Sequence, residues 1–123
     1  MTGVQTCALP ISAIRAAYPR LSSGSADDAV RRAFQALRIE VNGEFTALNA
    51  FLRDLPRCLK AGGRVAILSF HSGEDRRVKA AFKAGLQDGS YASIARDVTR
   101  ASPEEQRDNP RSSSAKLRYA TAP

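Results

Sequence analysis

The run R-V-A-I-L-S-F at 64–70 constrains the fold more than any other stretch of the chain. It is short, almost continuously apolar, and preceded by Gly62 and Gly63. Shortness and a glycine flank point to a strand rather than a helix. Unbroken apolarity is the pattern of a strand buried on both faces of a parallel sheet. Helical periods lie on either side. Upstream, apolar residues recur at Val30, Phe34, Leu37, Val41, Phe45, Leu48, Leu52, Leu55 and Leu59. Those steps predict an amphipathic helix, opened by Asp27 or Asp28, bent near Gly43 and disturbed at Pro56. Downstream, His71-Ser72-Gly73 turns the chain. Glu74 and Asp75 open a second helix, with Val78, Ala81 and Phe82 on its apolar face and Gly85 as its stop.

The remainder is less regular. Residues 13–18 predict a helix end stopped by Pro19, and 21–26 a Ser/Gly-rich loop. A short strand is expected at 93–99, a polar connection at 101–114 and a final strand at 115–122. Helix, turn, buried strand, helix, strand, loop, strand is an α/β pattern. It matches the closing third of a doubly wound, Rossmann-like sheet that ends in an antiparallel hairpin.

The first residues stand apart. Residues 2–11 carry no charge, no amphipathic period and no cap. The codons of a common sequencing adapter, translated, give the same string. Residues 1–11 are therefore expected to be non-native, 12–26 the end of a helical insert plus a loop, and 27–123 the C-terminal portion of the domain. A truncated product is the expectation.

The net charge of +7 over 123 residues favours a polyanionic partner, nucleic acid above all. Two cysteines without metal spacing argue against a disulfide framework and a zinc site. Cys58 is expected to be buried and inert. No apolar run approaches the roughly 18 residues of a membrane span. The expected setting is the cytoplasm.

Three segments carry a family likeness. They are A-F-Q-A-L-R-I-E-V-N-G-E-F at 33–45, A-G-G-R-V-A-I-L-S-F-H-S-G-E-D-R at 61–76 and N-P-R-S-S-S-A-K-L-R at 109–118. In order and wording they resemble the ribosomal RNA small-subunit methyltransferase H family, over about residues 31–121. The resemblance implies an S-adenosylmethionine-dependent enzyme that methylates the exocyclic N4 of a decoding-site cytidine in 16S rRNA. Its partner would be small-subunit rRNA or the assembling 30S subunit, with no membrane and no metal. It also implies that the cofactor-binding half and the catalytic loop lie upstream, so no cofactor-binding residue is expected in this chain, the catalytic residues stay unassigned, and the chain alone is expected to be inactive. Two departures stand out. Asp28-Ala29-Val30-Arg31 replaces a His-Pro-Ala-Thr stretch, and Gly73 replaces a Leu.

Candidate roles follow from position. Ser69, His71 and Ser72 lie at the carboxyl end of the buried strand, where open α/β sheets bind ligands. His71 is equally suited to capping the next helix. With Glu74 and Asp75 it suggests a metal cluster at first sight, but one histidine beside first-turn acids is a capping pattern. Arg38 and Asn42 share a helix face. Arg38 would either touch substrate in the cleft or pair with Glu44 or Glu74. Arg76, Arg77 and Lys79, together with Arg111, Lys116 and Arg118, are candidates for the RNA backbone or for a solvated face. Asn109-Pro110-Arg111 is expected to be a turn.

Two other classes compete. A non-catalytic basic RNA-binding module fits the charge but lacks exposed aromatic platforms. A small hydrolase would use the serines beside His71, but no G-x-S-x-G elbow is present.

Overall fold

A computed structural model describes residues 2–17 and 23–123. They form two units, one up to Glu44 and one from Phe45 on.

The first unit is a pair of helices, α1 (Thr2–Ala17) and α2 (Ser23–Asn42). Helix α1 runs through 2–11 without a break and holds Pro10 inside it. The stop expected at Pro19 lies outside the described residues, as do 21–22 of the expected loop. Ser23 to Ala26 are helical instead of a loop. Asp27 and Asp28 are consequently not caps. Asp27 sits inside α2 and pairs with Arg15 at 2.6 Å, and Asp28 pairs with Arg31 at 3.6 Å. The expected bend at Gly43 is a full break. Gly43 has φ +60°, a left-handed conformation that costs glycine little and ends α2. On α2 the apolar stripe continues into Leu37 and Val41, both exposed.

The second unit holds α3 (Glu44–Cys58), β1 (Arg64–Ser69), α4 (Ser72–Asp88), β2 (Ser93–Ile94), α5 (Pro103–Asp108), a 3-10 helix (Pro110–Ser114) and β3 (Lys116–Thr121). The strand order is β1-β3-β2, and β3 is antiparallel to both neighbours. It follows that β1 and β2 run parallel, joined through α4, with the last strand slotted between them. The antiparallel hairpin expected at the end is this insertion. The strand expected over 93–99 shrinks to two residues, plus a single bridge from Thr99 to Leu117.

The core joins both helices to the sheet. Leu52 and Leu55 come from α3, Val78 and Phe82 from α4, with Tyr91 and Ala120 completing it. On β1, Val65 and Ile67 pack against this cluster. Ala66 and Leu68 point the other way and are exposed. Burial of β1 on both faces is therefore not observed. Among the described residues one face is covered, and β1 pairs with β3 alone. Its outer edge is open. The carbonyls of Tyr119 and Thr121 accept from Ala95 and Ala92 at 2.8 Å each, so β3 turns those residues toward β2. The alternating pattern of an antiparallel ladder then turns Arg118 and Ala120 toward Ile67 and Val65. The backbone groups of Ala66 and Leu68 are left on the free edge.

Four further expectations are corrected. Gly85 does not stop α4, which continues to Asp88 and ends at Gly89 with φ +85°. Gly85 is instead a contact glycine. A Cβ there would lie 2.6 Å from Cε2 of Tyr91, so the ring of Tyr91 closes over a bare backbone. Cys58 is exposed at the end of α3, and its thiol donates to the Asp54 carbonyl at 3.6 Å. Pro56 leaves α3 unbroken to Cys58. The polar connection at 101–114 folds into α5 and the 3-10 helix. Ser102 Oγ accepts the Glu105 N–H at 3.2 Å and Pro103 follows the cap, a helix start that S-P-E-E announces.

Candidate functional site at the end of β1

Strand β1 ends at Ser69, and the chain turns through Phe70 and His71 into α4. His71 occupies the N-cap position with extended backbone, φ −141° and ψ 160°. Its Nδ1 accepts the Glu74 N–H at 3.4 Å, and Glu74 Oε2 accepts the Phe70 N–H at 3.3 Å. This is a variant of the capping box, with histidine in the usual Ser/Thr position and the return bond taken from the N–H of the residue before the cap. The cap also fixes the tautomer. With Nδ1 accepting, the neutral ring carries its proton on Nε2. That Nε2 is buried and lies 3.3 Å from Glu74 Oε1, out of line for a hydrogen bond. Phe45 packs against the imidazole with centroids 5.8 Å apart.

Gly73 matters to this packing. A Cβ at residue 73 would meet Phe45 Cζ at 2.7 Å and His71 Nδ1 at 3.2 Å. Its glycine therefore leaves room for the Phe45 ring. On that ring lies Arg77, its guanidinium 3.5 Å from the centroid, donating to the Gly73 carbonyl at 3.0 Å.

Ser69 is buried and its hydroxyl donates to the Lys116 carbonyl at 3.5 Å. Ser72 is exposed at the first position of α4. Asp75, one turn into α4, makes a two-pronged pair with Arg118 of β3. Nε lies 2.7 Å from Oδ1 and Nη2 3.2 Å from Oδ2. The bond from Arg118 holds the Asp75 carboxyl below the usual carboxylate range, against the opposing effect of burial. Arg118 therefore braces β3 against α4.

Ser69, His71 and Ser72 thus follow one another along one strand end, Ser69 buried and Ser72 exposed. Arg38 and Asn42 lie in the first unit, where both contact Glu44. Arg38 Nε is 3.0 Å from Oε1, and Asn42 Nδ2 donates to Oε1 at 3.4 Å. Of the basic candidates, Arg77 is held by Phe45 and Gly73. Arg76, Lys79 and Arg111 are exposed, and Lys116 is half-buried. Asn109-Pro110-Arg111 opens the 3-10 helix, pinned by Ser112 Oγ donating to the Asn109 carbonyl at 2.7 Å. In the sequence Phe45 reads only as part of a helical stripe, and its role as a partner of the turn comes from a contact between distant segments.

The cap makes a measurable claim. His71→Ala is expected to lower stability by about 1 kcal/mol, with His71→Asn keeping most of it, since Asn caps helices well. Urea midpoints compare the three proteins. Equal losses in both variants would mean that the cap contributes nothing.

Together these features define a class: a mixed α/β protein whose polar side chains gather where a strand delivers the chain into a helix. A model of the MraW methylase family matches residues 4–122. The chain belongs to that family. The match takes in most of 1–11.

Curated relatives are similar over most of the chain. Ribosomal RNA small subunit methyltransferase H 1 of Lachnoclostridium phytofermentans is 54% identical over 90 residues, 73% of this chain and 25% of the relative. The methyltransferase H of a Synechococcus species is 48% identical over 108 residues, 88% and 34% respectively. That of Acidobacterium capsulatum is 44% identical over 117 residues, 95% and 39%. The chain spans well under half the length of these relatives. Among the described residues no helix is long and apolar enough to cross a membrane.

Proposed function

We propose that this chain is the carboxyl-terminal portion of an S-adenosylmethionine-dependent enzyme that methylates the exocyclic N4 of a decoding-site cytidine in 16S rRNA. It would act in the cytoplasm, on the RNA or the assembling 30S subunit. The observation that carries the reading is family membership, with relatives named as small-subunit rRNA methyltransferases. The sheet supports it. A strand apolar on both sides, open along one edge, suits a sheet that continues there as a doubly wound fold.

The residues described do not fit the methyl donor by themselves. The paired glycines precede β1, where Gly63 N–H is bonded to the Lys60 carbonyl and Gly62 N–H to that of Pro123. The one turn that follows β1 spends its acceptors on the helix cap. No donor-dependent step is therefore assigned to these residues. Their part is to shape the strand end that would face a flipped base. Cytidine N4 is a poor nucleophile, because its lone pair is conjugated into the ring, so catalysis would rest on alignment.

The test has two arms. The longer gene product, recovered by sequencing the source DNA upstream of the Ser12 codon, is expected to methylate small-subunit RNA, with N4-methylcytidine found by nucleoside mass spectrometry. The 123-residue chain alone is expected to take up no S-adenosylmethionine in calorimetry. A methyl group on another base, or tight binding by the short chain, would overturn the reading.

A further inference from the structure

A second feature lies on the other flank of α4, away from the His71 turn. A groove of about 400 Å³ runs between α4 and the β2 edge. Its floor is apolar, made by Phe82, Leu86, Ile94 and Ala95. Its rim is cationic, with Lys79 and Lys83 on one side and Arg96 on the other. Lys79, Lys83 and Leu86 follow one another at helical spacing on a single face of α4. None of the three cations makes an ion pair among the described residues, whereas Arg118 at the groove's inner end is neutralised by Asp75. Lys79 lies near enough to Asp75 to lower its pKa, but that carboxylate is already engaged by Arg118.

We infer that this groove is a docking site for single-stranded RNA, holding one nucleotide with its base on Leu86 and Ile94 and its phosphates on Lys79, Lys83 and Arg96. The inference rests on the reading of the chain as part of an rRNA-modifying enzyme, and assigns that enzyme a contact separate from the β1 end. Two properties select RNA over an acidic protein. The volume falls within the range of small-ligand clefts. The combination of apolar floor and cationic rim matches a ligand with both a flat ring and a phosphate. Aspartate and glutamate side chains offer charge without an apolar body. The exposed aromatics Phe51, Phe70 and Tyr119 lie outside this groove, and Leu86, which is 43% exposed, takes the place of the stacking ring that single-strand binders commonly use.

The experiment is fluorescence anisotropy of a labelled mixed-sequence single-stranded RNA oligonucleotide with the 123-residue chain, across a range of salt. Lys83→Gln with Arg96→Gln is expected to lower the slope of log affinity against log salt by about one to two. Leu86→Ser is expected to weaken binding about fivefold or more at unchanged slope, by analogy with lost base stacking. Lys60→Gln with Arg107→Gln, the same charge change elsewhere, is expected to do much less. All these positions are exposed, and circular dichroism checks that the variants fold.

Equal losses in groove and control variants would overturn the inference, as would no RNA binding by the parent chain. So would polyglutamate displacing the RNA as effectively as unlabelled RNA, because the apolar floor would then have no role. Methylation by the longer gene product is scored separately. Methylation without a groove effect sinks the inference alone, and absence of methylation sinks the reading beneath it.

Discussion

Arg118→Met is expected to lower the stability of the second unit by about 3 kcal/mol or more, the usual cost of removing one partner from a buried ion pair. Both side chains of the pair are only 12% exposed. Without the guanidinium, Asp75 is left with its charge largely shielded from water. The effect has a pH signature. In the parent chain the folded-state pKa of Asp75 is depressed. Its contribution is therefore fully present above the unfolded carboxylate value of about 4. It fades as pH falls from there through the lower folded value. The variant has no such bond to lose. Urea midpoints of parent and variant should stand far apart at neutral pH and converge on acidification. A gap that is small at neutral pH, or constant down to strong acid, would show that the pair does not brace β3 against α4.

Phe82→Ala should be as damaging by a different route. The ring is 2% exposed and meets Tyr91 edge-on, with centroids 5.4 Å apart at 74°. Truncating a buried Phe costs about 3–5 kcal/mol, from lost transfer energy and the remaining cavity. In a unit this small each kcal/mol moves the melting midpoint by roughly 4–8 °C. Collapse into the cavity is limited, because Tyr91 already lies flush on Gly85. Phe82→Leu should recover most of the loss. Thermal melts followed by circular dichroism decide it. A shift below a few degrees for Phe82→Ala would mean that the core is centred elsewhere.

What the sequence reveals and what it hides follow from the physics of each segment. The Gly-Gly turn, the strand at 64–69 and the helix after it were legible, because apolar period and glycine placement are local signals. Which glycine ends α4 was not. Gly85 and Gly89 look alike in one dimension, and only the approach of Tyr91 separates a contact glycine from a capping one. Cys58 was misplaced because it falls near the apolar period of α3 but on an exposed face. The position of β3 was hidden for a general reason. Strand order depends on pairing across the chain, and 116–121 carries no mark of the neighbours it will choose. At the site, the grouping of Ser69, His71 and Ser72 was legible from adjacency alone. The capping geometry of His71 needed the direction of its ring, and the Phe45–Arg77 stack needed a contact between distant segments.

The slotted position of β3 bears on the order in which the molecule can assemble. Among the described residues, strands β1 and β2 share no hydrogen bond, and each pairs only with β3. Counting the described strands alone, a nascent chain that has emerged as far as α4 has helices to form but no ladder to close. The pairs that join β1 to β3, Val65 with Ala120, Ile67 with Arg118 and Ser69 with Lys116, are distant in sequence. Closing such long loops is the slow part of sheet formation. Until then the edge of β1 that carries Val65 and Ile67 toward β3 stays unpaired, the kind of segment that aggregates while it waits. For these three strands, the ladders wait on the last to arrive.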